Sequence, residues 1–475
     1  MKHLAVCLAA ALWAVLSAGV VPVRAADDSR DDPAGGSGKS LTVSDNKRFL
    51  VKPDGSPFFY LGDTAWELFH RLNREEAELY LRDRADKGYT VIQAVVLAEF
   101  GGLTEPNPYG HLPLKDKDPT KPVEDYFKHV DYVVDKAASL GLWTAMLPTW
   151  GDKVNKKWGQ GPEIFTPQNA EVFGEYLGRR YKDRPIIWML GGDRPVENDR
   201  HREVWRAMAR GLKKGDGGRH LVTYHTQGGQ SSSATLHDEP WLDFNTLQSG
   251  HGQKNNANYE MIRKDYERRP TKPCMDAEPC YDNHPVRQKK EQGWFDEYDV
   301  RKAAWWALFA GAHGHTYGCH DVWQMYVKGK KNLTDARTGW QEAIKLPASR
   351  QVGYARALLE SRPYLTRIPD QGIIKSDVGK GGDHVQATRD SEGSYALVYV
   401  PSGKAVTVDL AKINGPVRAW WLNPRDGTSR PAGEFKNDGP REFTPPQVER
   451  GAVGNDWVLV LDEAARNFPP PGAKR

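Results

Sequence analysis

The chain has 475 residues, 66 Lys and Arg against 62 Asp and Glu, a net charge of +4 and a mean hydropathy of −0.68. The length exceeds one small core and predicts a large domain followed by a smaller one. The two signs of charge are interspersed, so the basic stripe of a nucleic-acid binder is missing, and nothing after the first 25 residues is apolar enough to span a membrane.

Residues 1–25 read as a secretory signal. "MKH" gives a positive start, "LAVCLAAALWAVLSAGVV" an apolar core, and "VRA", ending at Ala25, a small-residue cleavage site. The mature protein is therefore expected to be secreted or periplasmic, with no membrane attachment after cleavage. Residues 26–40, "ADDSRDDPAGGSGKS", are polar, acidic and Gly-rich, the composition of a disordered leader. Cys7 leaves with the signal, and Cys274, Cys280 and Cys319 remain. Export permits a Cys280–Cys319 or Cys274–Cys280 disulfide, with three buried thiols as the alternative. No CxxC pair suggests structural zinc.

From 41 to 363 a rhythm of apolar, strand-length runs and helical stretches predicts a parallel sheet covered by helices. After the short strands "LTVS" and "RFLV", eight runs follow: "PFFYLGDTAW", "YTVIQAVVLAEF", "LWTAMLPTWGD", "PIIWMLGGDRP", "HLVTYHTQ", "FNTLQSGHG", "KPCMDAEPCYD" and "GHTYGCHDVW". Eight such units predict a (β/α)₈ barrel. An open doubly wound sheet would need a Gly-rich phosphate loop after an early strand, and the first run ends in "GDTAW" instead. "NREEAELYLRDRADKG" is a helix with Asn73 as N-cap and Gly88 at its end. "YDVRKAAWWALFAGAHG" is apolar nearly all round and predicts a buried helix. From 364 to 467, short alternating strands such as "YALVYVPSG" and "VRAWWLNPRDG" predict a small antiparallel β-sandwich. Residues 468–475, "FPPPGAKR", form a loose tail.

Side chains at the C-terminal ends of barrel strands converge on one mouth. The fourth run ends in Asp193 and the seventh in Glu278, across that mouth from each other. Two carboxylates in a concave site are the equipment for cleaving a glycosidic bond, one donating a proton and the other attacking the anomeric carbon or activating water. Gly191 and Gly192 would let the backbone bend so that Asp193 tips into the cleft. The remaining strand ends supply a polar and aromatic lining suited to a hydroxyl-rich ligand: Asp63, Trp66, Gln93, Trp150, Tyr224, His225, Gln248, His251, Tyr281, Asp321 and Trp323. No HExxH spacing points to a metal, no GxSxG points to a serine hydrolase, and no cofactor is expected.

The stretches "GSPFFYLGDTAWELFHRL", "GYTVIQAVVLAEF", "IIWMLGGDRP" and "CMDAEPCYDNHP" together resemble glycoside hydrolase family 140. The resemblance runs from about Leu41 to Asp462. It implies an apiosidase-like activity on side chains of the pectic polysaccharide rhamnogalacturonan II, a (β/α)₈ barrel, an aspartate acid/base and a glutamate nucleophile, roles that fall on Asp193 and Glu278. Larger retaining clans with this barrel carry Asn-Glu after strand four where this chain has Gly-Asp, so the proton donor is one methylene shorter. The C-terminal stretch resembles the small sandwich appended in that family, which bears a collagen-binding name although nothing in its sequence argues for collagen; a packing module is the simpler reading. The expectation is a secreted, retaining glycoside hydrolase on a plant cell-wall polysaccharide or oligosaccharide. The alternative is a non-catalytic glycan-binding or cell-surface protein on the same scaffold. A lyase using Arg194 against a uronate is a third course.

Overall fold

The computed structural model describes residues 40–472. The expected signal segment, the leader up to Lys39 and the last three residues lie outside the described residues. The chain opens in a three-stranded antiparallel ribbon, Thr42–Val43, Leu50–Val51 and Pro57–Phe58, and then enters a barrel.

Eight strands make the barrel: β1 (Tyr60–Thr64), β2 (Val91–Leu97), β3 (Trp143–Thr149), β4 (Ile186–Gly191), β5 (Val222–His225), β6 (Asn245–Gln248), β7 (Cys274–Asp276) and β8 (Gly314–Tyr317). Ladder pairing runs in parallel through the order 5-4-3-2-1-8-7-6. Nearly every strand residue is buried, because helices cover one face of the sheet and the barrel interior the other. The seam between β5 and β6 closes without a ladder. Thr223 Oγ1 donates to the Phe244 carbonyl at 2.8 Å, Thr246 Oγ1 donates to the Tyr224 carbonyl, and the Asp243 amide donates to the Val222 carbonyl at 2.8 Å. A two-residue strand, Gln230–Ser231, pairs antiparallel with the end of β6.

The covering helices are α1 (Arg74–Asp86), α2 (Glu124–Ser139), α3 (Pro167–Tyr181), α4 (Asp199–Asp216), α5 (Asn258–Glu267), α6 (Glu297–Phe309) and α7 (Ala348–Glu360). Asn73 caps α1 as its sequence predicts, in a reciprocal capping box with Glu76. The crossover from β5 to β6 holds only a single turn, Ser233–Leu236, so the regular rhythm fails there.

The C-terminal strands are β9 (Arg367–Pro369), β10 (Gln386–Asp390), β11 (Tyr395–Val400), β12 (Val406–Asp409), β13 (Val417–Leu422), β14 (Ser429–Phe435), β15 (Pro440–Phe443) and β16 (Trp457–Glu463). Six form one antiparallel sheet, ordered β9-β10-β11-β16-β13-β14, and β12 pairs with β15. One face of the large sheet buries Ala396, Val398, Leu459 and Leu461 within the sandwich. The other buries Tyr395, Leu397, Tyr399 and Val460 in the same core as barrel residues Trp305 and Leu358. This explains the all-apolar helix α6, buried from Asp299 onward: it lies between barrel and sandwich. Trp305 stacks on Tyr399 with ring centroids 6.1 Å apart, and Trp306 Nε1 donates to the His384 carbonyl at 2.8 Å. Trp421 belongs to the sandwich core while Trp420 packs toward the barrel, the opposite faces expected of neighbours on a strand. Cys274, Cys280 and Cys319 are free and buried, so the three-thiol alternative is the one adopted.

Candidate active site

Strand β4 ends at Gly191, and the next two residues turn into the barrel mouth. Gly191 and Gly192 have φ of +89° and +121°, and Asp193 follows at +55°. A Cβ on Gly191 would sit 2.2 Å from the His225 carbonyl oxygen, and one on Gly192 2.6 Å from the Gly151 amide nitrogen. The turn is pinned on both sides, since Gly192 donates to the His225 carbonyl at 2.9 Å and the Gly151 amide donates to Gly192 at 3.1 Å. Only glycine tolerates both the backbone region and the close approach. The two glycines thus let a carboxylate follow a buried strand directly and turn into the mouth.

Glu278 follows β7 by two residues, with its backbone tied to the end of β6 by the Gly250 amide at 3.0 Å. Its carboxylate is buried between two imidazoles. The Tyr281 amide donates to His251 Nδ1, which leaves the proton on Nε2 to donate to Glu278 Oε1 at 3.0 Å. On the other side His225 Nε2 lies 3.1 Å from Glu278 Oε2 and 3.4 Å from Asp193 Oδ1. These facing atoms of Asp193, His225 and Glu278 all lie within 4.8 Å of one another.

The electrostatics follow from this placement. Burial pushes the Glu278 carboxyl up, but the hydrogen-bonding His225 and His251 overcome it and hold Glu278 well below the usual carboxylate range. Burial pushes His225 down, and the two carboxylates reverse this and raise it to about 9. His225 thus sits as an imidazolium between two acids, walled by Trp66 and Trp150 with ring centroids at 5.1 and 5.6 Å. Among the described residues this trio is also the one set of His and acid side chains close enough to share a metal ion.

The cleft holds about 710 Å³. Of the residues expected at the site, Trp66, Trp150, Gln248, His251, Tyr281 and Trp323 line it with Asp193 and Glu278, and His225 lies just beneath the two acids. Trp150 Nε1, Gln248 Oε1 and Tyr281 Oη are buried there without a protein hydrogen-bond partner. Orphaned polar atoms beside aromatic faces are what a polyhydroxylated ligand satisfies.

Besides His225, four expected residues do not line the cleft. Asp63 lies within β1 on its outward face, where Arg84 Nε at 2.6 Å and the Tyr80 hydroxyl of α1 take its carboxylate. Gln93 sits mid-strand in the barrel interior, bonded to the Tyr60 hydroxyl at 3.1 Å and the Ala277 carbonyl at 3.2 Å. Tyr224 points outward against Trp205, as its neighbour His225 points in, and its hydroxyl donates to the Arg194 carbonyl at 3.2 Å. Asp321 turns down to Asn283 and to the amides of Arg337 and Thr338. Conversely, Glu99, Trp158, Gln227, His284 and Arg287 line the cleft without having been singled out. His284 stacks on His251 at 4.1 Å, and burial holds it far below the usual imidazole range.

A (β/α)₈ barrel presenting paired carboxylates in a polar, aromatic cleft is built as a glycoside hydrolase, and the comparisons agree. Residues 44–366 match the family described as "Apiosidase-like, catalytic domain", and the chain belongs to that family. Residues 368–462 match "Putative collagen-binding domain of a collagenase". One solved structure, described as a glycoside hydrolase, is 34% identical with a TM-score of 0.83, covering 90% of this chain and 98% of its own. Another, a glycoside hydrolase family 5 protein from Bacteroides vulgatus, is 33% identical with a TM-score of 0.83, covering 90% and 94%. A third glycoside hydrolase, also from Bacteroides vulgatus, shares the fold at 16% identity and a TM-score of 0.66, covering 90% and 83%. No curated protein matches the chain. The protein is a glycoside hydrolase whose substrate is a glycan.

Proposed function

We propose that the enzyme cleaves apiose-containing pectic polysaccharide or a related plant cell-wall glycan with retention of anomeric configuration, Asp193 acting as acid/base and Glu278 as nucleophile. The observation that carries the mechanism is the separation of the two acids. Facing oxygens of the two acids within 4.8 Å of each other sit nearer the roughly 5–5.5 Å of retaining enzymes than the about 6.5–9.5 Å of inverting ones, which supports retention. Glu278, held anionic by two imidazoles, suits attack on the anomeric carbon. Asp193, more open to the cleft at 31% exposure, suits proton exchange with the departing oxygen and then with water. The apiose assignment rests on membership of the apiosidase-like family. The sandwich serves as a packing module, since one face of its large sheet is buried against the barrel. Residues 1–25 direct export, a reading supported by their charged start, apolar core and small-residue site.

The test is incubation with rhamnogalacturonan II fragments, with the first product anomer followed by NMR. Retention is expected, and Asp193→Ala and Glu278→Ala should each lose about 10²–10⁴-fold in kcat. An inverted first product would dismiss the mechanism. Wild-type rates in both variants would dismiss the residues.

A further inference from the structure

The rim of the cleft carries an indole that the protein leaves open. Trp158 sits in the loop between β3 and α3, lines the cavity and is 62% exposed, more than any other large apolar side chain among the described residues. One exposed apolar side chain is ordinary by itself. Here the backbone is committed to it as well. Trp158 has a φ of +42°, a region that a bulky side chain occupies only where its surroundings hold it. Those surroundings are a loop tied down on both sides. The Lys156 amide donates to Glu163 Oε1 at 2.9 Å, the Gly159 amide to the Lys156 carbonyl at 2.6 Å and the Gly161 amide to Asp152 Oδ2 at 2.7 Å. Asn155 Nδ2 donates to the Pro195 carbonyl at 3.1 Å and to Glu197 Oε2 at 2.9 Å, which fastens the loop to the segment that carries Asp193.

The ring is braced from the same segment. The Arg194 guanidinium, 3% exposed and paired with Glu99, lies 5.3 Å from the Trp158 ring centroid, and Arg194 directly follows Asp193. A Cβ on Gly159 would meet Arg194 Nη2 at 2.5 Å, so loop and guanidinium are packed together. Lys157 Nζ stands 5.4 Å from the same centroid. The two cations hold the indole and still leave most of its surface open. Trp66 and Trp150 are otherwise engaged: they are buried, face each other with centroids 5.1 Å apart and wall His225.

A general acid protonates the leaving oxygen, so the group that departs lies on the Asp193 side of the cleft. Trp158 stands on that side. A sugar ring presents a C–H face that can lie flat on an indole, and the contact removes apolar surface of both from water. A methyl leaving group has no such face to offer. We propose that Trp158 is the platform on which the sugar ring of the leaving group stacks, so that the enzyme is built to detach its glycone from a second sugar. Trp158 is then a substrate-binding residue that acts outside the bond that breaks.

The inference rests on the acid/base role of Asp193 and on the apiose reading, and the experiment keeps the three apart. kcat/KM is measured on methyl apioside and on an apiosyl disaccharide, which share the glycone and differ in the leaving group. In Trp158→Ala the ratio of disaccharide to methyl apioside should fall about 10–100-fold below the wild-type ratio, the size of effect that loss of a contacting indole produces. Trp158→Phe, which keeps a flat ring, should hold the ratio within about fivefold. Melting temperatures check that both variants fold. An unchanged ratio in Trp158→Ala, or an equal fall in Trp158→Phe, would overturn the proposal. A second measurement leaves Trp158 in place. N-bromosuccinimide oxidises open indoles, and rhamnogalacturonan II fragments added to the Glu278→Ala enzyme should slow oxidation of the peptide that carries Trp158. The same oxidation rate with and without the fragments would also overturn it. If the wild type cleaves neither apioside, the apiose reading falls and protection still decides the platform. If Asp193→Ala keeps wild-type rates on both apiosides while the Trp158→Ala ratio falls, the acid/base role falls and the platform stands.

Discussion

The imidazole of His225 and the carboxylate of Glu278 face each other at 3.1 Å, behind Trp66 and Trp150. The pairing raises His225 from 6.5 to about 9, so it couples stability to pH. Below pH 6.5 the imidazole is protonated in the folded and unfolded chains alike, and the full stabilisation is present. Between 6.5 and about 9 only the folded chain keeps the proton, and the contribution falls until it is gone above that range. At about 1.4 kcal/mol per pH unit, it is on the order of 3 kcal/mol. Unfolding free energy of the wild type should therefore decline toward pH 9, and the gap between it and His225→Gln should narrow. A constant gap across that window would show that His225 is not protonated in the fold.

The same proton bears on metals. A cation could use Asp193, His225 and Glu278 only by displacing the His225 proton, which the two flanking acids stabilise. Dialysis against EDTA should leave kcat unchanged, and added Zn²⁺ should inhibit if it acts at all. Activity lost on chelation and restored by one divalent cation would replace the ion-pair reading with a metal centre.

Gly192 tests whether the turn before Asp193 matters as built. A methyl group there would press against the Gly151 amide and come within 2.8 Å of the Trp150 ring, at φ of +121°. Gly192→Ala should cost about 1–3 kcal/mol of stability and move Asp193 out of register with Glu278. Denaturant unfolding and kcat, measured together, check this. A variant with wild-type kcat would mean the turn does not set the acid.

What the sequence disclosed follows from these same contacts. Barrel strands, helix α6 and the pair Asp193/Glu278 were legible because continuous apolar runs, an all-apolar helix and a strand-end acid are local signals. Asp63 was misplaced because a strand-end acid and an outward-facing acid look alike until Arg84, one helix away, is seen to claim it. Of Tyr224 and His225, only one can face inward on a strand, and the sequence does not say which. Glu99 satisfied the rule that picked Glu278, yet its partner Arg194 lies 95 positions on, and only the folded barrel joins them. The buried side of the sandwich, and with it the reason for Trp305 and Trp306, required the docking of two domains.

That docking carries the last prediction. Arg301 of α6 donates to Asp456 at 2.9 and 2.7 Å; Arg425 and the Tyr399 hydroxyl reach the same carboxylate at 3.0 Å. Arg301 and Asp456 are fully buried. Removing the shared acceptor leaves the Arg301 guanidinium without its counter-charge inside the interface, and breaking a buried pair in this way costs about 3–5 kcal/mol. Asp456→Ala should lower the unfolding midpoint accordingly while leaving kcat at low temperature intact, because neither Arg301 nor Asp456 lines the cleft. Replacing the pair together, as Arg301→Met/Asp456→Leu, should recover part of the loss, since the surroundings of Trp305 accept such side chains while Arg425 and the Tyr399 hydroxyl still lose their acceptor. Calorimetry of the single and double variants decides the matter: a single variant as stable as the wild type would show that the sandwich is not held to the barrel through this pair.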